Sequence, residues 1–175
     1  MAPLGPNETA SGDDAKVSIV SRIKNWASGS WIKTGLLVLV AVFVVIQLVP
    51  YGHSHTNPPV TQAAQFDSAQ TEQLFSDACG ACHSNLTNWP PESNVAPFSW
   101  LISSDVDGGR GIFNVSEWDR AEQPEVGEIG EVIGGGEMPP LQYKLLHPSA
   151  RLSDTEKQQL IDGLNKTFAQ DPPGP

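Results

Sequence analysis

Cys79-Gly80-Ala81-Cys82-His83 is the stretch on which the reading of this chain turns. It contains both cysteines of the 175 residues and ends in a histidine. C-x-x-C-H is the sequence at which a c-type haem is attached. Two thiols one helical turn apart meet the two vinyl groups on one edge of the porphyrin, and the adjoining imidazole reaches the iron as its proximal ligand. The other uses of such a pair fit less well. A thioredoxin-type dithiol needs a βαβ setting, which the flanks lack. A structural zinc site needs four ligands, and no second cluster exists. A plain disulfide leaves His83 without a role. One motif implies one covalent haem.

The charge is lopsided. Residues 1–50 hold three acids and four bases, and residues 51–175 hold seventeen acids and six bases, a balance of −11 in the second part. That field disfavours nucleic acid and anionic lipid and favours a partner with a basic docking face. Gly and Pro cluster at 50–59, 88–97, 108–111, 134–140 and 171–175, so short helices joined by loops are expected.

Between Ile32 and Val49 the chain reads IKTGLLVLVAVFVVIQLV, with no charge after Lys33. About 20 such residues cross a hydrocarbon core. Trp26 and Trp31 before the run and Tyr51 after it suit the two interfaces. Lys16, Arg22, Lys24 and Lys33 precede its apolar part, and the next base is Arg110, which predicts a cytoplasmic N-terminus and an exported remainder. A cleaved signal peptide is the competing reading, disfavoured by the long n-region and by Gln47-Leu48-Val49-Pro50-Tyr51 at the end of the run. The expected organisation is a partly disordered cytoplasmic segment at 1–30, with residues 16–30 as a basic interfacial helix. A transmembrane helix follows at 31–50, an extended linker at 51–65, a haem domain at 66–170 and a disordered tail at 171–175.

Apolar residues in the haem domain recur at helical spacing, which predicts an all-α fold. A first helix is expected to start at Asp67 with Gln70 as its capping partner and to carry the cysteines near its end. A second opens at Pro97 with Phe98, Leu101, Ile102 and Val106 facing inward, and Gly108-Gly109 ends it. A short turn of helix after Asn114 and another helix near Pro124, closed by Gly134-Gly135-Gly136, follow. Ser153-Asp154-Thr155-Glu156 is a capping box that opens the last helix, whose stripe is Leu160, Ile161, Leu164 and Phe168.

Met138, the one methionine besides the initiator, stands in Gly134-Gly135-Gly136-Glu137-Met138-Pro139-Pro140 and is the candidate sixth ligand. Thioether ligation raises the potential and closes the iron, as suits electron transfer. Packing in the core is the alternative for Met138, and His147 is the rival ligand. Arg110 is a candidate for a haem propionate, with satisfaction of loop carbonyls an equal alternative. Trp100, with Trp89 and Trp118, is expected to wall the haem pocket or fill the core. The Asn-x-Ser/Thr triplets at Asn7, Asn85, Asn114 and Asn165 read as chance.

Taken together, VPYGHSHTNPPV at 49–60, ACGACHSNLTNWP at 78–90, APFSWLISSDVDGGR at 96–110, NVSEW at 114–118, GEMPP at 136–140 and LLHPSARLSDTEKQQLIDGL at 145–164 resemble a bacterial family of membrane-anchored haem-binding-domain proteins related to cytochrome c. Pro90-Pro91-Glu92 departs from the more aromatic stretch common in that family. The resemblance implies an exported, cytochrome c-like domain with one haem on Cys79, Cys82 and His83. The expected role is that of a membrane-anchored, single-electron carrier rather than an enzyme. The alternatives are a fixed haem subunit of a respiratory or photosynthetic complex and, less favoured, a haem sensor or enzyme with an open distal face.

Overall fold

A computed structural model describes residues 30–175. The expectations for the disordered start and the basic interfacial helix lie outside the described residues. The chain divides into two compact units, Met1–Val49 and Pro50–Pro175.

In the first unit, helix α1 covers residues 30–46, and nearly every side chain on it is exposed. Seventeen described residues reach only about 26 Å at the α-helical rise. Among the described residues, no helix is long and apolar enough to cross a membrane.

The second unit is helical, as expected. Its elements are α2 (Ala69–Ala78), α3 (Phe98–Ile112), α4 (Val126–Gly134), α5 (Leu141–Leu146) and α6 (Asp154–Gln170), with 3₁₀ turns at Pro91–Asn94 and Pro148–Ala150. Among the described residues there is no strand, only an isolated parallel bridge between Gln62 and Glu117. That bridge belongs to a run of backbone bonds that draws residues 61–64, expected as part of a linker, into this unit. Ala64 N–H donates to Val115 O at 2.8 Å and Trp118 N–H to Gln62 O at 2.9 Å.

Helix α2 starts one residue later than expected. Ser68, not Asp67, is the N-cap, its hydroxyl accepting from Thr71 N–H, while Asp67 accepts from the Thr71 hydroxyl. The core lies where α2, α4 and α6 meet, around Phe75, Phe113, Trp118, Ile133, Leu160 and Leu164. Trp118 is fully buried and donates its indole N–H to Asp171 O at 2.8 Å. Close helix approach needs glycine at one crossing. A Cβ on Gly163 of α6 would collide with the Thr71 side chain of α2.

The capping box at the start of α6 forms in both directions, with Ser153 Oγ accepting from Glu156 N–H. Ser153→Ala removes the cap and is expected to cost about 1 kcal/mol of stability, read as a lower urea midpoint at unchanged m-value.

Two expectations are corrected. Gly108-Gly109 does not end α3, which runs on to Ile112. The predicted inward stripe of α3 is also only partly inward. Val106 is buried, but Phe98 is 53% and Leu101 46% exposed. Helix α5 had no sequence expectation, being six residues wedged between two prolines and a histidine.

Candidate functional site

The C-x-x-C-H residues leave the end of α2 as a tight turn. Cys79 and Gly80 N–H both donate to Phe75 O, at 2.7 and 2.9 Å, and Cys82 and His83 N–H both donate to Cys79 O, at 3.1 and 2.9 Å. The turn packs hard against α3. A Cβ built on Gly109 would lie 2.6 Å from Cys82 O and 2.9 Å from Cys82 Cβ. This is why a glycine stands mid-helix there: the backbone of α3 touches the backbone of the motif.

His83 is oriented through Nδ1, which lies 3.0 Å from Phe113 O. A carbonyl only accepts, so Nδ1 carries the proton and Nε2 is left with the lone pair that a metal requires. Burial lowers the imidazole pKa, against the opposing pull of the Phe113 and Gly109 carbonyls. Burial likewise pushes the Cys79 thiol up to about 12, with Cys82 adding to the effect. Cys82 is pushed up to about 11, by burial first and then by Asp105. Such half-buried thiols with raised pKa are the opposite of the activated thiolate of a disulfide oxidoreductase.

Two cavities, of about 340 and 260 Å³, open on this turn, and Cys79, His83, Ile112 and Met138 line both. Cys82, Gly109 and Tyr143 complete the motif side of the first. Phe75, Phe113, Ile129, Val132 and Leu164 give the second an apolar wall. Met138 arrives there from the end of α4. Gly136 takes a left-handed φ of 79°, and Met138 N–H then donates to Val132 O at 3.1 Å. The methionine remains 39% exposed and is therefore not core filler. The structure thus brings together Cys79, Cys82, His83 and Met138.

The other candidates lie elsewhere. His147 does not line either cavity; it stacks on Tyr143, with ring centroids 3.9 Å apart, and bonds Tyr143 O through Nδ1. Arg110 lines neither. It is buried and spends its guanidinium on loop acceptors: Ser84 O and Thr56 O at 2.9 Å, and Asn57 Oδ1 and Thr87 Oγ1 at 2.8 Å. Of the two readings of Arg110, the structure displays loop satisfaction. Trp100 is half-buried outside both cavities, and Trp89 stacks on His55. Asn85 and Asn114 are buried and bonded to each other at 2.8 Å, and Ser116 N–H donates to Asn114 Oδ1. Their triplets serve packing, because this network holds the loop that presents Phe113 O to His83.

Sequence reasoning missed Tyr143. It borders the cavity beside both cysteines, and burial pushes its phenol up to about 12, with Cys82, Cys79 and Asp77 adding. An aromatic residue three positions after a Pro-Pro pair gave no signal until α5 was placed.

The first cavity thus gathers two thiols, an imidazole nitrogen and a thioether around one largely apolar space. Among the described residues no cluster of three or more His, Cys, Asp or Glu side chains is arranged to hold a bare metal ion. The sequence profile of the haem-binding domain matches residues 41–166. The chain belongs to the haem-binding-domain family. No curated protein and no solved structure matches it. The haem-binding domain accordingly covers the motif, the Met138 loop and most of α6.

Proposed function

We propose that this haem-binding-domain protein is a membrane-anchored monohaem c-type cytochrome that carries single electrons on the outer side of the cytoplasmic membrane. The observation that carries the reading is that His83 and Met138, fifty-five residues apart in sequence, line the same two adjoining cavities. Cys79 and Cys82 would hold the cofactor covalently, and His83 Nε2 and Met138 Sδ would bind its iron. When bound, the haem supplies a one-electron iron couple. The protein's own work is to orient. Phe113 O fixes the imidazole tautomer, the Gly136–Pro140 loop positions the sulfur, and Phe75, Ile129, Val132 and Leu164 exclude water. No acid–base or nucleophilic step is required of any side chain.

The anchor is supported by the uncharged run after Lys33 and by the exposure of Leu36, Leu37, Leu39, Phe43 and Val45 along α1. A span of useful length needs α1 together with the flanking residues up to Val49. The basic residues on its N-terminal side support an exported domain, the side on which C-x-x-C-H receives haem.

Carbon monoxide decides between a closed carrier and an open sensor. The reduced protein is expected to show an unchanged spectrum under the gas. Formation of a carbonyl adduct at low concentrations would sink the carrier reading and leave a sensor or enzyme.

A further inference from the structure

The stripe of α3 that turns only partly inward lines a groove. Phe98, Leu101, Ile102 and Val106 of α3 and Leu146 of α5 border an apolar space of about 120 Å³. Phe98, Leu101 and Leu146 remain exposed. Cys82 borders the same space, so the groove adjoins the C-x-x-C-H turn. Two carboxylates share this lining, Glu92 and Asp105, and no Lys or Arg does. Both residues are half-buried, and neither carboxylate accepts a hydrogen bond or forms an ion pair among the described residues. The bases of the surrounding elements are engaged elsewhere. Arg110 is spent on loop acceptors, Lys144 Nζ donates to Gly136 O, and Arg151 donates to the carbonyls of Lys144 and Leu145. A carboxylate drawn partly out of water against apolar walls is costly unless a cation meets it.

We propose that this groove receives a lysine or arginine side chain from the basic docking face of a redox partner protein. Such a side chain has both parts that the groove complements: an aliphatic stem for Phe98, Leu101 and Leu146, and a charge for Glu92 and Asp105. The balance of −11 over residues 51–175 draws a basic partner toward the domain, and the groove gives the encounter a fixed register. Cys82 in the lining brings that partner beside the turn proposed to carry the haem. That the partner is a redox protein rests on the haem reading of the neighbouring site.

The test is calorimetric titration of the full-length, haem-loaded protein, in nanodiscs of zwitterionic lipid, with a lysine-rich soluble cytochrome c as the probe. Glu92→Gln combined with Asp105→Asn is expected to weaken binding about tenfold or more. Glu122→Gln combined with Glu131→Gln removes the same charge from exposed positions outside the groove and is expected to weaken it about twofold or less. Acetylating the lysines of the probe is expected to abolish the difference between the two pairs. Equal weakening by the two pairs, a difference that survives acetylation, or no binding by wild type at low salt would overturn the assignment. Self-association of wild type that the Glu92→Gln, Asp105→Asn pair abolishes would also overturn it, giving the groove to a second copy of the chain. Neither carboxylate is bonded within the fold, so the amides are expected to leave it intact. If a melt shows otherwise, Leu101→Ser decides: about threefold weaker binding is expected, and wild-type affinity would overturn the assignment. Failure of the haem reading is distinguishable, because wild type would then show no haem spectrum while the titrations still report on the groove.

Discussion

Met138→Ala is expected to retain covalent haem while opening one face of the iron. Cys79, Cys82 and His83 are held by the α2 turn and by Phe113 O, none of which depends on the methionine side chain. The variant is therefore expected to bind carbon monoxide where the wild type does not. Its weak far-red thioether-to-iron band should vanish in the oxidised form. Because thioether ligation raises the potential, the midpoint is expected to fall by on the order of a tenth of a volt or more, within the roughly 0.8 V range over which axial ligands act. His147→Ala, whose ring stacks on Tyr143 outside both cavities, should keep the band and exclude the gas. An unchanged band in Met138→Ala would remove Met138 from the iron.

Gly109→Ala is the second large effect, and it acts on the fold and the cofactor together. The added carbon would meet the carbonyl oxygen of Cys82 at 2.6 Å and its Cβ at 2.9 Å, atoms that cannot swing aside as the end of a flexible side chain would. Alanine in place of glycine normally favours a helix by about 0.8–1 kcal/mol, and overpacking of this kind costs about 1–3 kcal/mol or more. Overpacking is expected to win, with a net loss of roughly 1–2 kcal/mol and reduced haem attachment, since α3 must withdraw from the motif. Gly111→Ala, two residues on, meets nothing within 4 Å. It is expected to stabilise α3 by up to about 1 kcal/mol. Opposite signs in thermal melts of the two variants would confirm the contact between α3 and the motif; equal small effects would refute it.

The same glycine shows where sequence reading ran short. A Gly-Gly pair is ordinarily a helix end, and local propensity says nothing of Cys82, 27 residues earlier in the chain, which needs the space. Glycine at 109 is required by tertiary contact, so α3 continues past it. The two readings of Arg110 stayed open in the sequence for a related reason. Its charge suggests an anionic ligand, but loop carbonyls from Thr56 and Ser84 converge on it only after folding. By contrast, the motif, the α6 capping box and the Met138 loop were legible because each is specified within a few residues. The capping box needs only its own four positions, and Met138 was singled out by being alone of its kind. Tyr143 carried no local pattern, and its environment emerges from packing.

The central claim, one haem held covalently by Cys79 and Cys82, is tested most directly by the intact mass of the denatured protein, made in a host that attaches c-type haem. The predicted mass is that of the polypeptide plus one haem, and Cys79→Ser with Cys82→Ser should return the polypeptide mass alone. Wild-type protein that shows only the polypeptide mass, with its haem extracted by acidified organic solvent, would contradict it.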